Sequence, residues 1–152
     1  MLHVALFEPE IPPNTGNIAR LCAATGARLH LIGRLGFRID DAAVRRAGLD
    51  YWPHVDLIWH KKWEDFLAVV PDVNRLWLVD NPAPQNYTQA KFEDGDTILF
   101  GNELRGLPTD IRETHADRLL TIPMPTGNVR SINLSSAAAV VLYEALRQVH
   151  GW

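Results

Sequence analysis

The chain has 152 residues, 47% of them hydrophobic, and a formal net charge of −3, so it can bury one sizeable core and a single domain over residues 1–152 is the expectation. The acidic balance withholds the global basic field of many nucleic-acid binders, so any RNA contact has to be local. One cysteine, Cys22, excludes an internal disulfide and a Cys-based zinc cage; with no membrane-length apolar run and no signal-peptide pattern at the amino terminus, a cytoplasmic protein is predicted.

In chain order, Leu2 to Phe7 is a short apolar run that predicts a buried strand, followed by a rigid loop through Pro9, Pro12 and Pro13. Asn14 or Thr15 is placed to cap a helix running to about Thr25 and closed by Gly26. Ile18, Leu21, Cys22 and Thr25 fall on its inner face, which makes Cys22 a packed core thiol; Asn17 and Arg20 share the opposite side. Strand and helix then alternate: Arg28 to Ile32, a helix from Asp40 to Ala47 stopped by Gly48, Val55 to Trp59, a helix from Trp63 to Val70, Arg75 to Val79, and after a Pro/Gln/Asn-rich crossover the strand Thr97 to Phe100. Such alternation builds βαβ units, an α/β fold with a mostly parallel sheet covered by helices on both faces. Ligands are then received outside the carboxyl ends of the strands.

Gly101-Asn102-Glu103-Leu104-Arg105-Gly106-Leu107-Pro108 follows that strand directly. Glycine at a strand end lets backbone approach a ligand closely, but the pattern is neither the dinucleotide fingerprint nor a P-loop. Glu103 reads either as a general base or as a carboxylate that accepts from loop amides. After a helix from Pro108 to Thr114 and a strand from Arg118 to Ile122, Pro123 and Pro125 take the chain out of the sheet. Ser131 or Asn133 can cap a final apolar helix. Leu134, Ala137, Ala138, Val141, Leu142, Ala145, Leu146 and Val149 form its core-facing stripe. A second stripe through Ser136, Val140, Tyr143 and Arg147 is either an exposed amphipathic face or a subunit interface. The six histidines show no H-E-x-x-H or comparable spacing, so no metal is expected.

Three segments carry a resemblance: Asn14-Thr15-Gly16-Asn17-Ile18-Ala19-Arg20, Leu99 to Leu107, and Ile122-Pro123-Met124 with Arg130 to Ser135. Together, in this order and spacing, they resemble the three motifs of the SPOUT superfamily of RNA methyltransferases, in its 2′-O-ribose branch. Glu8 to Asn17 and Arg45 to Tyr51 look most like its small wobble-position tRNA members. The resemblance implies a carboxy-terminal trefoil knot, where general topology rules assume none, and a homodimer packed through the terminal helix. It implies S-adenosyl-L-methionine as methyl donor, without metal, held at the positions of Val79, Gly101, Ile122 and Ser131. It implies Arg20 as the catalytic residue, Arg130 and Tyr143 as RNA-binding residues, and a tRNA anticodon stem-loop as partner. Asn102 stands where the family often has proline or serine, and Thr126-Gly127-Asn128-Val129 is this chain's own version of the knot loop.

The function so implied is 2′-O-methylation of wobble nucleotide 34, a cytidine or modified uridine, in tRNA. Two alternatives stay open beside it: a ribose elsewhere in tRNA or in rRNA, and a non-catalytic RNA-binding module of the same fold. Without the resemblance, the residues alone would fit a nucleotide-binding α/β regulator.

Overall fold

The computed structural model describes residues 1–152 apart from the side chains of residues 47–50. Short apolar-rich runs and one polar pair, Gln85–Asn86, become the strands of one seven-stranded sheet, in which all pairings are parallel: β1 (His3–Phe7), β2 (Arg28–Ile32), β3 (Leu57–His60), β4 (Leu76–Val79), β5 (Gln85–Asn86), β6 (Thr97–Phe100) and β7 (Leu119–Thr121). Their order across the sheet is β3-β2-β1-β6-β4-β7-β5. All residues of β4 and β6 are buried, the reason they read as continuous apolar runs and not as alternating ones.

The α-helices are α1 (Pro12–Thr25), α2 (Ala42–Gly48), α3 (Trp63–Leu67), α4 (Thr109–Thr114) and α5 (Leu134–His150). Val4, Leu6, Leu29, Leu31, Ile98 and Phe100 pack on one face with Ile18 and Cys22 of α1 and with Ala138, Val141 and Leu142 of α5. Ala5, Ile32, Leu76, Leu78 and Leu99 pack on the other with Phe66 of α3 and Ile111 of α4. Helices therefore cover both faces, as the strand–helix alternation predicts, and α2 lies against α1. Cys22 is buried, and burial pushes its thiol up to about 12, consistent with a core residue. Among the described residues no helix is long and apolar enough to cross a membrane.

Most element boundaries fall within a few residues of their sequence-based positions, and β2 and β6 coincide with theirs. One reading needs correction. Neither Asn14 nor Thr15 caps α1: the helix starts at Pro12, its N-cap is Ile11 without any side-chain cap, and both Asn14 and Thr15 are buried inside it. Two prolines at the first helical positions supply the preset φ that makes an early start favourable, and the carboxylate serving the start of this helix arrives from another loop, as described below. At α5 the choice between two caps resolves to Asn133, whose side-chain oxygen accepts from the amides of Ser135 (2.9 Å) and Ser136 (3.4 Å). The outward stripe of α5, Ser136, Val140, Tyr143 and Arg147, is exposed along its length.

Candidate functional site

The carboxyl ends of β4, β6 and β7 open into a cleft of about 690 Å³, within the span typical of small-molecule sites. Val79, Asp80 and Asn81 enter from β4, Phe100 to Leu107 from β6, Ile122 and Met124 from β7, and Arg130 to Leu134 from the start of α5. Chemically the lining is mixed: apolar side chains such as Val79, Phe100, Ile122 and Leu134 stand beside loop backbone and a few amides, carboxylates and arginines.

The loop after β6 is held in shape by its own side chains. Asn102 and Gly106 pair backbone to backbone, with N···O distances of 3.1 and 2.9 Å. The Asn102 side-chain oxygen accepts from the amides of Leu104 (2.9 Å) and Arg105 (3.0 Å), and its NH2 donates to the Glu8 carbonyl at 2.6 Å. Asparagine at this position therefore performs the turn-building work for which it is suited. Gly101 is indispensable sterically: a Cβ there would lie 2.4 Å from the Gly106 carbonyl carbon and 2.5 Å from the Leu107 nitrogen. Gly106 adopts φ 67 and backs onto the Asp80 carboxylate.

Glu103 joins the three segments that carry the resemblance. Its carboxylate accepts from the amides of Glu10 (2.9 Å) and Ile11 (2.7 Å) and from the Asn14 NH2 (3.2 Å). The Asn14 oxygen in turn accepts from the NH2 of Asn133 at 3.0 Å, and Asn133 caps α5. This settles the two sequence readings of Glu103 in favour of the amide acceptor, and explains how α1 begins without a local cap: the carboxylate satisfies amides at its entry.

Asp80 plays the matching part on the other wall. It accepts from the amides of Asn81 (2.9 Å) and Leu107 (3.0 Å) and forms an ion pair with Arg112 at 2.8 Å. Arg112 also donates to the Pro82 carbonyl at 2.6 Å. The Asn81 NH2 reaches the carbonyl of Arg130 at 3.1 Å, tying the segment before α5 to the end of β4. Neither Asp80 nor Asn14 was singled out from the sequence as a site residue. The signal for Asp80 was its place immediately after a strand whose end faces the ligand side; for Asn14 it was masked by the capping interpretation.

Of the residues singled out by resemblance, Val79, Gly101, Ile122, Ser131 and Arg130 all line this cleft. Arg20 and Tyr143 do not. Arg20 is exposed on α1, its guanidinium carbon 4.9 Å from the ring centroid of Tyr51, and Tyr143 lies on the outward stripe of α5, 46% exposed. Within the Arg45 to Tyr51 segment, the side chains of residues 47–50 lie outside the described residues. Among the described residues no group of three or more His, Cys, Asp or Glu is arranged to hold a metal.

Away from the cleft, β1, β2 and β3 bring together three histidines that are far apart in sequence. His3 Nδ1 lies 2.9 Å from His30 Nε2, and His30 Nδ1 lies 2.9 Å from His60 Nε2, with the rings stacked and Phe66 edge-on to two of them. Each contact needs one N–H and one bare nitrogen, which three neutral rings supply. Burial above all, and then His3, His60 and Arg28, hold His30 down at about 3; burial likewise lowers His3 and His60. No metal-ligand geometry results, because both central nitrogens are used by neighbouring rings.

The family model for the SpoU rRNA methylase family matches residues 1–143. The chain belongs to that family. Among SpoU family relatives, a tRNA (cytidine(34)-2′-O)-methyltransferase of Saccharophagus degradans is 48% identical over 151 residues, covering 98% of this chain and 96% of that protein. A solved structure that concerns 2-OH methylation of C/U34 on tRNA superposes with a TM-score of 0.92 at 45% identity, covering 100% of this chain and 98% of that one. A more distant SpoU methyltransferase of Streptomyces viridochromogenes, solved in complex with the cofactor AdoMet, gives a TM-score of 0.82 at 27% identity over 97% of this chain and 60% of that one.

Proposed function

We propose that this SpoU family protein transfers a methyl group from S-adenosyl-L-methionine to the ribose 2′-hydroxyl of wobble nucleotide 34, a cytidine or modified uridine, in tRNA. The observation that carries the reading is the convergence of all three motif segments on one cleft, joined through Glu103, Asn14 and Asn133. The names of the full-length relatives point to the same nucleotide.

The cleft suits this donor. Its apolar wall accommodates a nucleoside, and its loop backbone and scattered polar groups suit the edges of a base and the charged ends of an amino acid. Val79, Gly101, Ile122 and Ser131 are the residues that would hold it. When bound, S-adenosylmethionine supplies an activated methyl on its sulfonium, so the chain's own task is to orient the ribose oxygen and ease loss of its proton. Arg20 binds the adjacent phosphate through its planar fork and stabilises the developing alkoxide. The guanidinium carries five N–H donors and no acceptor, so it serves the alkoxide as a donor and not as a base. Arg130, at the mouth of the cleft, takes a further phosphate, and Tyr143 contacts the anticodon stem-loop.

Because Arg20 and Tyr143 lie outside the cleft lining of one chain, the reading includes a homodimer paired through the exposed stripe of α5, with RNA bound where two chains meet. It also includes a trefoil knot within a single catalytic domain working in the cytoplasm. Two features support the knot: β7 is inserted between β4 and β5, so the chain from β4 through β5 to β6 passes around it, and Gln148 of α5 bonds to Ala90 and Phe92 of that same passage.

The test is to incubate the purified protein with S-adenosylmethionine and tRNA, both unmodified transcripts and tRNA from cells, and to locate added methyl groups by mass spectrometry. A 2′-O-methyl at nucleotide 34 that disappears with Arg20→Ala supports the reading. A methyl elsewhere, or none on any tRNA, replaces it with another ribose target or a non-catalytic binder, and near-full turnover by Arg20→Lys removes the bidentate role of Arg20.

A further inference from the structure

The 3-10 turn Leu49–His54 packs against α1 and presents two consecutive aromatic rings, each with an arginine over its face. The Arg20 guanidinium lies 4.9 Å from the centroid of Tyr51, and that of Arg45 lies 5.1 Å from the centroid of Trp52. Trp52 is partly buried and packs against the main core, so the turn is anchored at one ring while the other, Tyr51, stays 39% exposed beside Arg20. The Arg20–Tyr51 pair thus lies outside the cleft, on the exposed side of α1 that carries Asn17 and Arg20.

Stacking has a definite consequence for an arginine. The ring occupies one face of the guanidinium and leaves its in-plane N–H donors directed outward from the edge, the geometry that binds two oxygens at once. It also removes rotamers that a long, exposed side chain would otherwise populate, and that ordering no longer has to occur when RNA binds. The phenol hydroxyl takes no part in either effect.

We propose that Tyr51 is a positioning residue for Arg20: its ring face fixes the plane and direction of the guanidinium that engages the ribose–phosphate at the methylated nucleotide. This rests on the function proposed above and assigns its rate a requirement outside the three motif segments.

The experiment measures single-nucleotide methylation of tRNA at saturating S-adenosylmethionine and tRNA, together with KM for the methyl donor and thermal melting, for the parent protein, Arg20→Ala, Arg20→Lys, Tyr51→Phe, Tyr51→Leu and the Arg20→Lys/Tyr51→Leu double variant. Tyr51→Leu should lower kcat about tenfold, the size expected from releasing an immobilised, oriented side chain, with donor KM and melting unchanged. Tyr51→Phe should stay within about twofold of the parent, because the ring face is kept. The double variant should be no slower than Arg20→Lys, since the two residues act as one unit. Parent-like turnover by Tyr51→Leu, an equal loss in Tyr51→Phe, multiplying losses in the double variant, or a Tyr51→Leu protein that melts well below the parent would each overturn the proposal. If the parent places no methyl on nucleotide 34, the proposed function falls and this inference with it. If the parent is active and Arg20→Ala is not, while Tyr51→Leu is unaffected, this inference alone falls.

Discussion

The two halves of the sheet bury polar side chains for different ends. In the half formed by β6, β4 and β7, Glu103, Asp80, Asn102 and Asn14 spend their hydrogen-bonding capacity on loop amides and on one another, and the result is an open cleft with a fixed outline. In the half formed by β1, β2 and β3, the rings of His3, His30 and His60 bond to one another, with Phe66 edge-on to His30 and His60. Buried polar groups are costly wherever they lack partners. Where the partner is loop backbone, the side chain dictates a loop conformation and so a site; where the partner is another side chain of the same kind, it dictates only packing and sensitivity to protons.

The sharpest way to break the first half is Gly101→Ala. The added methyl meets backbone atoms at 2.4 and 2.5 Å that cannot move without opening the Asn102–Gly106 turn, so a loss of about 4 kcal/mol in unfolding free energy is expected, with donor binding abolished in calorimetry. Next comes Glu103→Ala, which strips a charged acceptor from two amides and from Asn14; chemical denaturation should report a loss of about 3 kcal/mol, and the Glu103→Gln variant should recover part of it.

The second half should answer to pH and not to donor. His30 is held at about 3 against an ordinary 6.5, so the unfolded chain binds a proton the folded one resists. Stability from this source is therefore complete above about pH 6.5 and declines as pH falls towards 3. By linkage His30 alone should cost about 2 kcal/mol at pH 5, and His30→Leu should flatten the melting profile over that window. A profile equally steep in His30→Leu would place the acid sensitivity elsewhere. The smallest effect belongs to the cap: Asn133→Ala should lower stability by about 1 kcal/mol, yet it should weaken donor binding more than other helix-cap losses, because it also releases Asn14 from the chain that ends at Glu103.

Much of this was legible in the residues. The runs Arg28 to Ile32 and Thr97 to Phe100 matched β2 and β6 because each is a short, apolar-rich run that packs into the core, and the stripe of α5 was readable from its 3.6-residue period. The start of α1 departs from its sequence-based position for a physical reason. Asn14 has the chemistry of a cap, but its partners, Glu103 and Asn133, lie 89 and 119 residues away, and once they claim it the helix begins at the prolines. The histidines were similarly opaque: at positions 3, 30 and 60 no local spacing links them, and only the register of three adjacent strands does so.

The sequence by itself thus determined the alternation of strands and helices, the apolar faces and the three motif segments, since each depends on period, turn chemistry and residue type within a few positions. The tertiary structure decided the strand order, with β7 inserted between β4 and β5. It decided the closure of Glu103, Asn14 and Asn133 into one chain, and the approach of Tyr51 to Arg20. Those outcomes turn on which distant surfaces exclude water together, and that competition is settled only when the whole core packs.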